Sequence, residues 1–243
     1  MPFSTAHIVR KKVEKIPPGE VFDYRRFNMA SSDELSLAKA LSRLTQEGVI
    51  ARLSRGKYYK PQETAFGKLR PSESTLVEAL TMRNNKRIGY ITGITVYNRL
   101  GLTSQVSNIL VIATNKPLPP KTVEGYKVKY VKRELDIRDH DIPLLQILDA
   151  IRDIKTIPDS SPDEVIRILT SKIKGLSGQE KKQLTKLALS YNAGTRALLS
   201  AIIDKYMPRI PVGKLASSLN KLSSYEIGVS ESILPNKSIW HIK

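Results

Sequence analysis

Two hydrophobic periods run through this chain, and they divide it. From Leu37 the apolar residues Leu37, Ala40, Leu41 and Leu44 fall at i, i+3, i+4 and i+7, which predicts a helix with one buried stripe. Its opposite face carries Ser36, Lys39, Ser42, Arg43 and Gln46. Gly48 ends the helix, because glycine tolerates the left-handed conformation found there. Two β-prone runs follow, Val49–Ser54 and Lys57–Lys60, joined at Arg55-Gly56. Upstream, Ile8, Val9, Val13 and Ile16 predict a helix over residues 4–16, stopped by Pro17-Pro18-Gly19. Val21-Phe22 can add a strand beside the hairpin. Asp23 caps a short helix over Tyr24–Phe27, and Ser32 is the expected N-cap of the longer helix.

From Thr64 the texture changes. A helix is expected from Pro71-Ser72 to about Arg83, then a strand at Ile88–Thr92, a short helix around Val96–Leu100 and a strand at Ile109–Thr114. Thr122-Val123 and Lys127–Lys132 flank Glu124-Gly125, a hairpin signal. Beyond residue 141 the period is helical. Asp141 is expected to cap a run containing Leu145, Leu148 and Ile151. Ser161-Pro162-Asp163-Glu164 and Ser177-Gly178-Gln179-Glu180 are capping boxes, and an apolar helix spans about Thr195–Tyr206. A short amphipathic piece surrounds Leu215–Leu222, and the remaining tail has no period that places it.

The fold class predicted is α+β: a winged helix-turn-helix over residues 1–62, a small α+β segment over 63–141, and a mostly helical region over 142–243. Helix, short helix, turn, longer helix and basic hairpin is the winged-helix order.

Composition bounds what such a chain does. At 243 residues it has length for about two domains. It has no cysteine, which excludes disulfides and thiolate metal sites and agrees with a reducing cytoplasm. No apolar run suits a membrane span, and MPFSTAHIVRKKVEK lacks the apolar core of a signal peptide, so the expected location is cytoplasmic. The net charge of +17 points to a polyanion partner. Residues 1–60 hold 12 Lys/Arg against 6 Asp/Glu, 61–141 hold 13 against 8, and 142–243 hold 15 against 9. Charge is therefore spread evenly, and geometry singles out the N-terminal unit.

That geometry predicts binding to double-stranded DNA. Lys39 and Arg43 on a helix in the major groove can reach guanine O6/N7 or phosphate, and Gln46 can reach adenine. Ser36 and Ser42 are short enough to let the helix lie close and to bond phosphate oxygens. Arg55 and Lys57 at the hairpin tip suit a phosphate or a narrow minor groove. Arg25 and Arg26 can grip the backbone, while Tyr58 and Tyr59 are assigned to strand packing. Catalysis has no comparable constellation. His7, His140 and His241 are scattered, the chain has no GxGxxG, P-loop, HExxH or GxSxG motif, and Asp139-His140-Asp141 reads as a polar loop entering the next helix. No enzyme activity, cofactor or metal is expected.

With those residues in view, the chain resembles the AbiEi-like antitoxin family, the transcription-regulating halves of bacterial abortive-infection toxin–antitoxin pairs of type IV. The resemblance is carried by KALSRLTQEGVIARLSRGKYYKP, by GYITGITVYNRLGLTSQVSNILVIATN and by YNAGTRALLSAI. In the middle stretch Gly93, Asn98, Leu100-Gly101-Leu102 and Gln105 fall where the family's pattern has them. The likeness spans most of residues 4–206 and carries the tail after Met207 loosely. It implies a DNA-binding N-terminus that represses its own operon; the expected operator is an inverted repeat bound by two copies, or a site bound by cooperative monomers. It also implies a C-terminal region that neutralises a nucleotidyltransferase-like toxin encoded nearby, with residues 63–243 forming one antitoxin domain in some readings and no toxin-contact residues assigned. The alternative left open is a winged-helix regulator with no toxin, whose C-terminal region senses a ligand or oligomerises.

Overall fold

The structure is a computed structural model and describes residues 4–29 and 33–243. The chain has a mixed α+β architecture and forms two compact units: residues 1–89 with 120–128, and residues 90–119 with 129–243. The boundaries expected at 62/63 and 141/142 fall inside these units.

In the first unit, α1 (Thr5–Glu14) is capped by the Ser4 hydroxyl, which accepts from the His7 N–H. Its last carbonyls are not left bare. Lys60 Nζ donates to the carbonyls of Val13, Glu14 and Ile16 at 3.0, 2.7 and 2.7 Å, a cation placed where the helix dipole favours one. Strand β1 (Val21–Asp23) leads into a 3-10 turn over Tyr24–Phe27, where Asp23 accepts from the Arg25 N–H as expected of a cap. Helix α2 (Glu34–Gln46) buries Leu37, Ala40, Leu41 and Leu44 against α1. The expected cap Ser32 lies outside the described residues; Asp33 precedes the helix and makes no side-chain cap bond. Gly48 takes a φ of +68° after the helix end.

Strands β2 (Ala51–Ser54) and β3 (Lys57–Tyr59) pair antiparallel, and β1 adds on the far side to give the order β1-β3-β2. Phe22 lies opposite Tyr58 and stacks on it at 5.9 Å, with Phe27 edge-on to Phe22 at 6.0 Å. Tyr58 and Tyr59 are buried in strand packing. Val9, Val13, Phe27, Leu41 and Ile50 complete this core.

The unit then continues past residue 62. A small hairpin of β4 (Glu63–Thr64) and β5 (Gly67–Lys68) precedes α3 (Glu73–Thr81), which is capped by Ser72. The Ser54 hydroxyl donates to the Ala79 carbonyl at 3.1 Å, so α3 is tied to β2 and belongs with the N-terminal elements. The helix expected to run to Arg83 stops at Thr81. Beyond it β6 (Met82–Arg83) and β7 (Lys86–Arg87) form a hairpin, turning at Asn84 and Asn85 with φ of 49° and 58°. Asparagine is the side chain best suited to two successive left-handed residues after glycine.

In the second unit β8 (Gly89–Thr92), α4 (Ile94–Arg99) and β9 (Ile109–Thr114) follow one another closely. Strand β10 (Lys121–Val123) and the start of β11 (Tyr126–Lys132) belong to the first unit and turn at Glu124-Gly125, as that dipeptide predicts. The rest of β11 returns to the second, where β9 lies between β11 and β8.

Helices α5 (Ile142–Arg152), α6 (Pro162–Gly175), α7 (Gly178–Ala188) and α8 (Ala193–Tyr206) follow. Both expected capping boxes are present, at Ser161/Glu164 and Ser177/Glu180. Helix α8 is buried continuously from Ala197 to Ile203, as its all-round apolar pattern requires. Asp141 corrects an expectation. It makes no cap bond; its buried carboxylate accepts from Gln183 Nε2 at 2.9 Å instead. After the short α9 (Gly213–Ser217) the aperiodic tail buries Val229, Leu234, Trp240 and Ile242 and adds scattered polar bonds to α6 and α8. Tyr206 donates to the Ile233 carbonyl at 2.6 Å, and Trp240 Nε1 to Asp204 at 3.2 Å.

Candidate nucleic-acid interface

The face of α2 opposite its buried stripe is open. Ser36, Lys39, Ser42, Arg43 and Gln46 are all exposed, because a period of 3.6 that buries Leu37, Leu41 and Leu44 must turn these positions outward. Lys39 and Arg43 are successive turns of one face, and neither has a hydrogen bond or ion pair among the described residues. Their charges are therefore uncompensated within the described chain.

The β2–β3 tip supplies a second cationic point. Arg55 is exposed and likewise has no partner among the described residues. Gly56 takes a φ of +76°, and a Cβ there would sit 3.3 Å from two ring carbons of Tyr24. The positive φ favours glycine, and a Cβ would require the exposed Tyr24 ring to shift by a few tenths of an ångström. Lys57 differs from Arg55: it is half-buried, and burial pushes its ammonium down from its ordinary value, with Glu78 and Asp23 opposing the shift.

Arg25 and Arg26 sit on the 3-10 turn, and both are engaged. Arg25 donates from Nε and Nη2 to Oδ2 of Asp23 at 2.9 and 2.5 Å and from Nη2 to the Asn85 side-chain oxygen at 3.3 Å. This hydrogen bonding holds the Asp23 carboxyl below its ordinary value. Arg26 pairs with Glu20. A phosphate at either site would have to displace a carboxylate. The structure thus separates the predicted set into open positions (Ser36, Lys39, Ser42, Arg43, Gln46 and Arg55), half-buried Lys57, and the paired Arg25 and Arg26.

Two further exposed arginines were not selected from the sequence. Arg52 alternates with buried Ala51 and Leu53 along β2, so its outward position was legible. Arg83 has no such signal, because the sequence pattern extends a helix to it whereas the structure puts it in a hairpin.

Asp139, His140 and Asp141 form a 3-10 turn before α5. His140 is exposed, with Nε2 3.6 Å from Oδ1 of Asp141, and that same buried oxygen accepts from Gln183. Among the described residues no cluster of His, Asp and Glu is arranged to hold a metal ion.

The most concentrated buried chemistry lies elsewhere, on α5. Asp149 is fully buried and accepts from the hydroxyls of Tyr90, Thr92 and Tyr191 at 3.0, 2.6 and 3.1 Å, and from Arg133 Nε and Arg152 Nη1 at 3.0 and 3.1 Å. Burial beside this carboxylate pushes the Tyr90 and Tyr191 hydroxyls up, so they remain donors. One signal could have found the cluster: Asp149 stands four residues after Leu145, on the apolar stripe of its helix.

Residues 8–184 match the model of a family described as a family of unknown function (DUF6088). The chain belongs to that family. The DUF6088 match begins within α1 and ends within α7, so it takes in the whole candidate interface and Asp149. Among solved structures, the crystal structure of the RV2827C protein from Mycobacterium tuberculosis is similar in fold. It has a TM-score of 0.53 at 11% identity, over 93% of this chain and 86% of that one. No curated protein matches the sequence.

Proposed function

We propose that this DUF6088 protein is a DNA-binding transcriptional regulator, the antitoxin and autorepressor of a bacterial type IV toxin–antitoxin pair. The observation that carries the DNA-binding half is the pair Lys39 and Arg43, exposed and unpaired among the described residues on the outer face of α2. In this reading residues 1–62 act as a winged helix-turn-helix. Helix α2 enters the major groove, about 12 Å wide, where a guanidinium can take guanine O6 and N7 together. Ser36 and Ser42 add short donors to the backbone, and Arg55 follows the phosphates or an adjoining minor groove. Two copies on an inverted repeat would place their helices about 34 Å apart, one turn of duplex. The protein works in the cytoplasm, where its DNA lies.

The antitoxin half rests on the likeness of the stretches at residues 39–61, 89–115 and 191–202 to AbiEi-like proteins. The partner is a nucleotidyltransferase-like toxin encoded beside it, countered to the cell's benefit in phage defence. The test is made in cells. A reporter driven by the DNA upstream of the gene is expected to be repressed by the wild-type protein and released by Lys39→Ala/Arg43→Ala. Expression of the neighbouring gene alone is expected to arrest growth, and co-expression to relieve it. A harmless neighbour removes the antitoxin half and leaves a regulator without a toxin; an unrepressed reporter removes the DNA-binding half.

A further inference from the structure

Two hairpin tips in the first unit face one cavity. Its volume is about 440 Å³, and three arginines line it: Arg52 and Arg55 from the β2–β3 hairpin and Arg83 from the β6–β7 hairpin. None of the three has a hydrogen bond or ion pair among the described residues. Among the described residues the lining contains one carboxylate, Glu34, so three cations meet one anion and the described lining keeps a net charge of +2. Like charges gathered around one space repel each other unless an anion enters it.

The cavity is built rather than accidental. The positive φ of Gly56 shapes the turn that carries Arg55. Arg87, at the base of the other hairpin, donates to Glu78 at 3.0 Å and to the Thr81 hydroxyl at 2.8 Å, and the Ile88 N–H donates to the Thr81 carbonyl at 2.7 Å. Arg25 reaches Asn85 across the gap. Arg55 and Arg83 also line an adjoining cavity of about 190 Å³ with Lys57, Arg25 and Asp23, where Arg25 is paired with Asp23, so the positive lining continues from one space into the other.

We propose that Arg52, Arg55 and Arg83 form a phosphate-binding site, occupied by a backbone phosphate of duplex DNA. A guanidinium offers a planar fork of donors that fits phosphate oxygens in pairs, and three forks around one space suit a tetrahedral dianion or diester. The cavity is larger than a phosphate alone, which leaves room for the sugar attached to it. Helix α2 supplies one wall through Leu37, Ala38 and Leu41. Ala38 is followed one turn later by exposed Ser42, so a duplex lying along the polar face of α2 passes the rim of this cavity. The choice of DNA as the source of the phosphate rests on the DNA-binding reading; the phosphate chemistry does not.

The experiment measures the affinity of the full chain for the DNA upstream of its gene over a range of salt. Loss of one phosphate contact lowers the slope of log K against log salt by about 0.9. Arg83→Ala is expected to show that change with binding about tenfold weaker on every sequence tested, and Arg83→Lys to recover part of it. Lys86→Ala removes the same charge from the same hairpin outside the lining and is expected to keep the slope. Unchanged melting temperatures confirm folding. In parallel, inorganic phosphate is titrated while the arginine Nε–H signals are followed by NMR. DNA binding with an unchanged slope in Arg83→Ala overturns the DNA phosphate site and leaves the DNA-binding reading standing. Phosphate-induced shifts at Arg83 in a protein that binds no DNA support the phosphate site and assign it to a small phosphorylated ligand. Neither shift nor DNA binding overturns both.

Discussion

Arg133 donates from Nε to Oδ1 of Asp149 at 3.0 Å, and the carboxylate that receives it is completely buried. Arg152 donates to the same oxygen at 3.1 Å, from the following turn of α5. Two guanidiniums and three hydroxyls thus converge on one side chain and connect β8, α5, the residue after β11, and the segment between α7 and α8. A buried charge is tolerated because its partners satisfy it, and removing one member leaves the others unmet.

Asp149→Ala is therefore expected to destabilise the second unit by about 3–5 kcal/mol, the usual cost of breaking a buried pair from one side. Tyr191→Phe deletes one donor and is expected to cost about 1 kcal/mol. Urea unfolding of the full chain, followed by far-UV circular dichroism, measures both. A loss under 1 kcal/mol for Asp149→Ala would show that the cluster does not hold the unit together.

Gly56→Ala tests the hairpin tip. A left-handed alanine costs about 1–2 kcal/mol, and its Cβ would press on the Tyr24 ring at 3.3 Å. The variant is expected to lose stability by that amount and to bind DNA more weakly, because Arg55 moves with the turn. Gly56→Ala with unchanged melting temperature and unchanged affinity would show that the tip does not depend on the positive φ at this residue.

Acid should weaken the second unit through carboxylates held by hydroxyl and backbone donors, Asp163, Glu164 and Glu180 among them. Hydrogen bonds from Ser230 hold the Asp163 carboxyl below its ordinary value, while bonds within the capping boxes do the same for Glu164, through Ser161, and for Glu180, through Ser177. Each folded value lies below the unfolded one, near 3.9 for Asp and about 4.3 for Glu. The stabilisation is thus present above the unfolded value and disappears as pH falls through the folded one. Melting temperatures measured from pH 6 to pH 2 are expected to drop in that window, and to drop less for Asp163→Asn. Equal acid sensitivity in the variant would remove Asp163 from the set.

Much of the architecture was legible because local signals and tertiary packing agree. The Ser161 and Ser177 capping boxes, the Asp23 cap, the Glu124-Gly125 turn and the glycines at 48 and 56 each specify a backbone conformation from within a few residues. The β6–β7 hairpin was not legible, since strands of two residues show no alternation; the Asn84-Asn85 pair was its one signal. Asp141 has a residue type suited to capping and is used inside, where Gln183 meets it. The tail is ordered by irregularly spaced apolar anchors, among them Val229, Leu234 and Ile242, and by polar bonds to α6 and α8, which leave no period in the sequence.

The candidate site divides along the same line. Helical period alone exposes Lys39, Arg43 and Gln46. The engagement of Arg25 with Asp23 and of Arg26 with Glu20 depends on how the 3-10 turn aims each side chain, and the gathering of Arg52 and Arg83 with Arg55 depends on a hairpin that the sequence concealed.

The most direct measurement is equilibrium affinity for the DNA immediately upstream of the gene, compared with a scrambled duplex at one stated salt concentration. Wild-type protein is expected to prefer the upstream DNA, and Lys39→Ala/Arg43→Ala to lose that preference and bind both duplexes weakly while keeping its melting temperature. Equal affinity of wild type and double variant for the upstream DNA would contradict the assignment of α2 as the element that meets DNA.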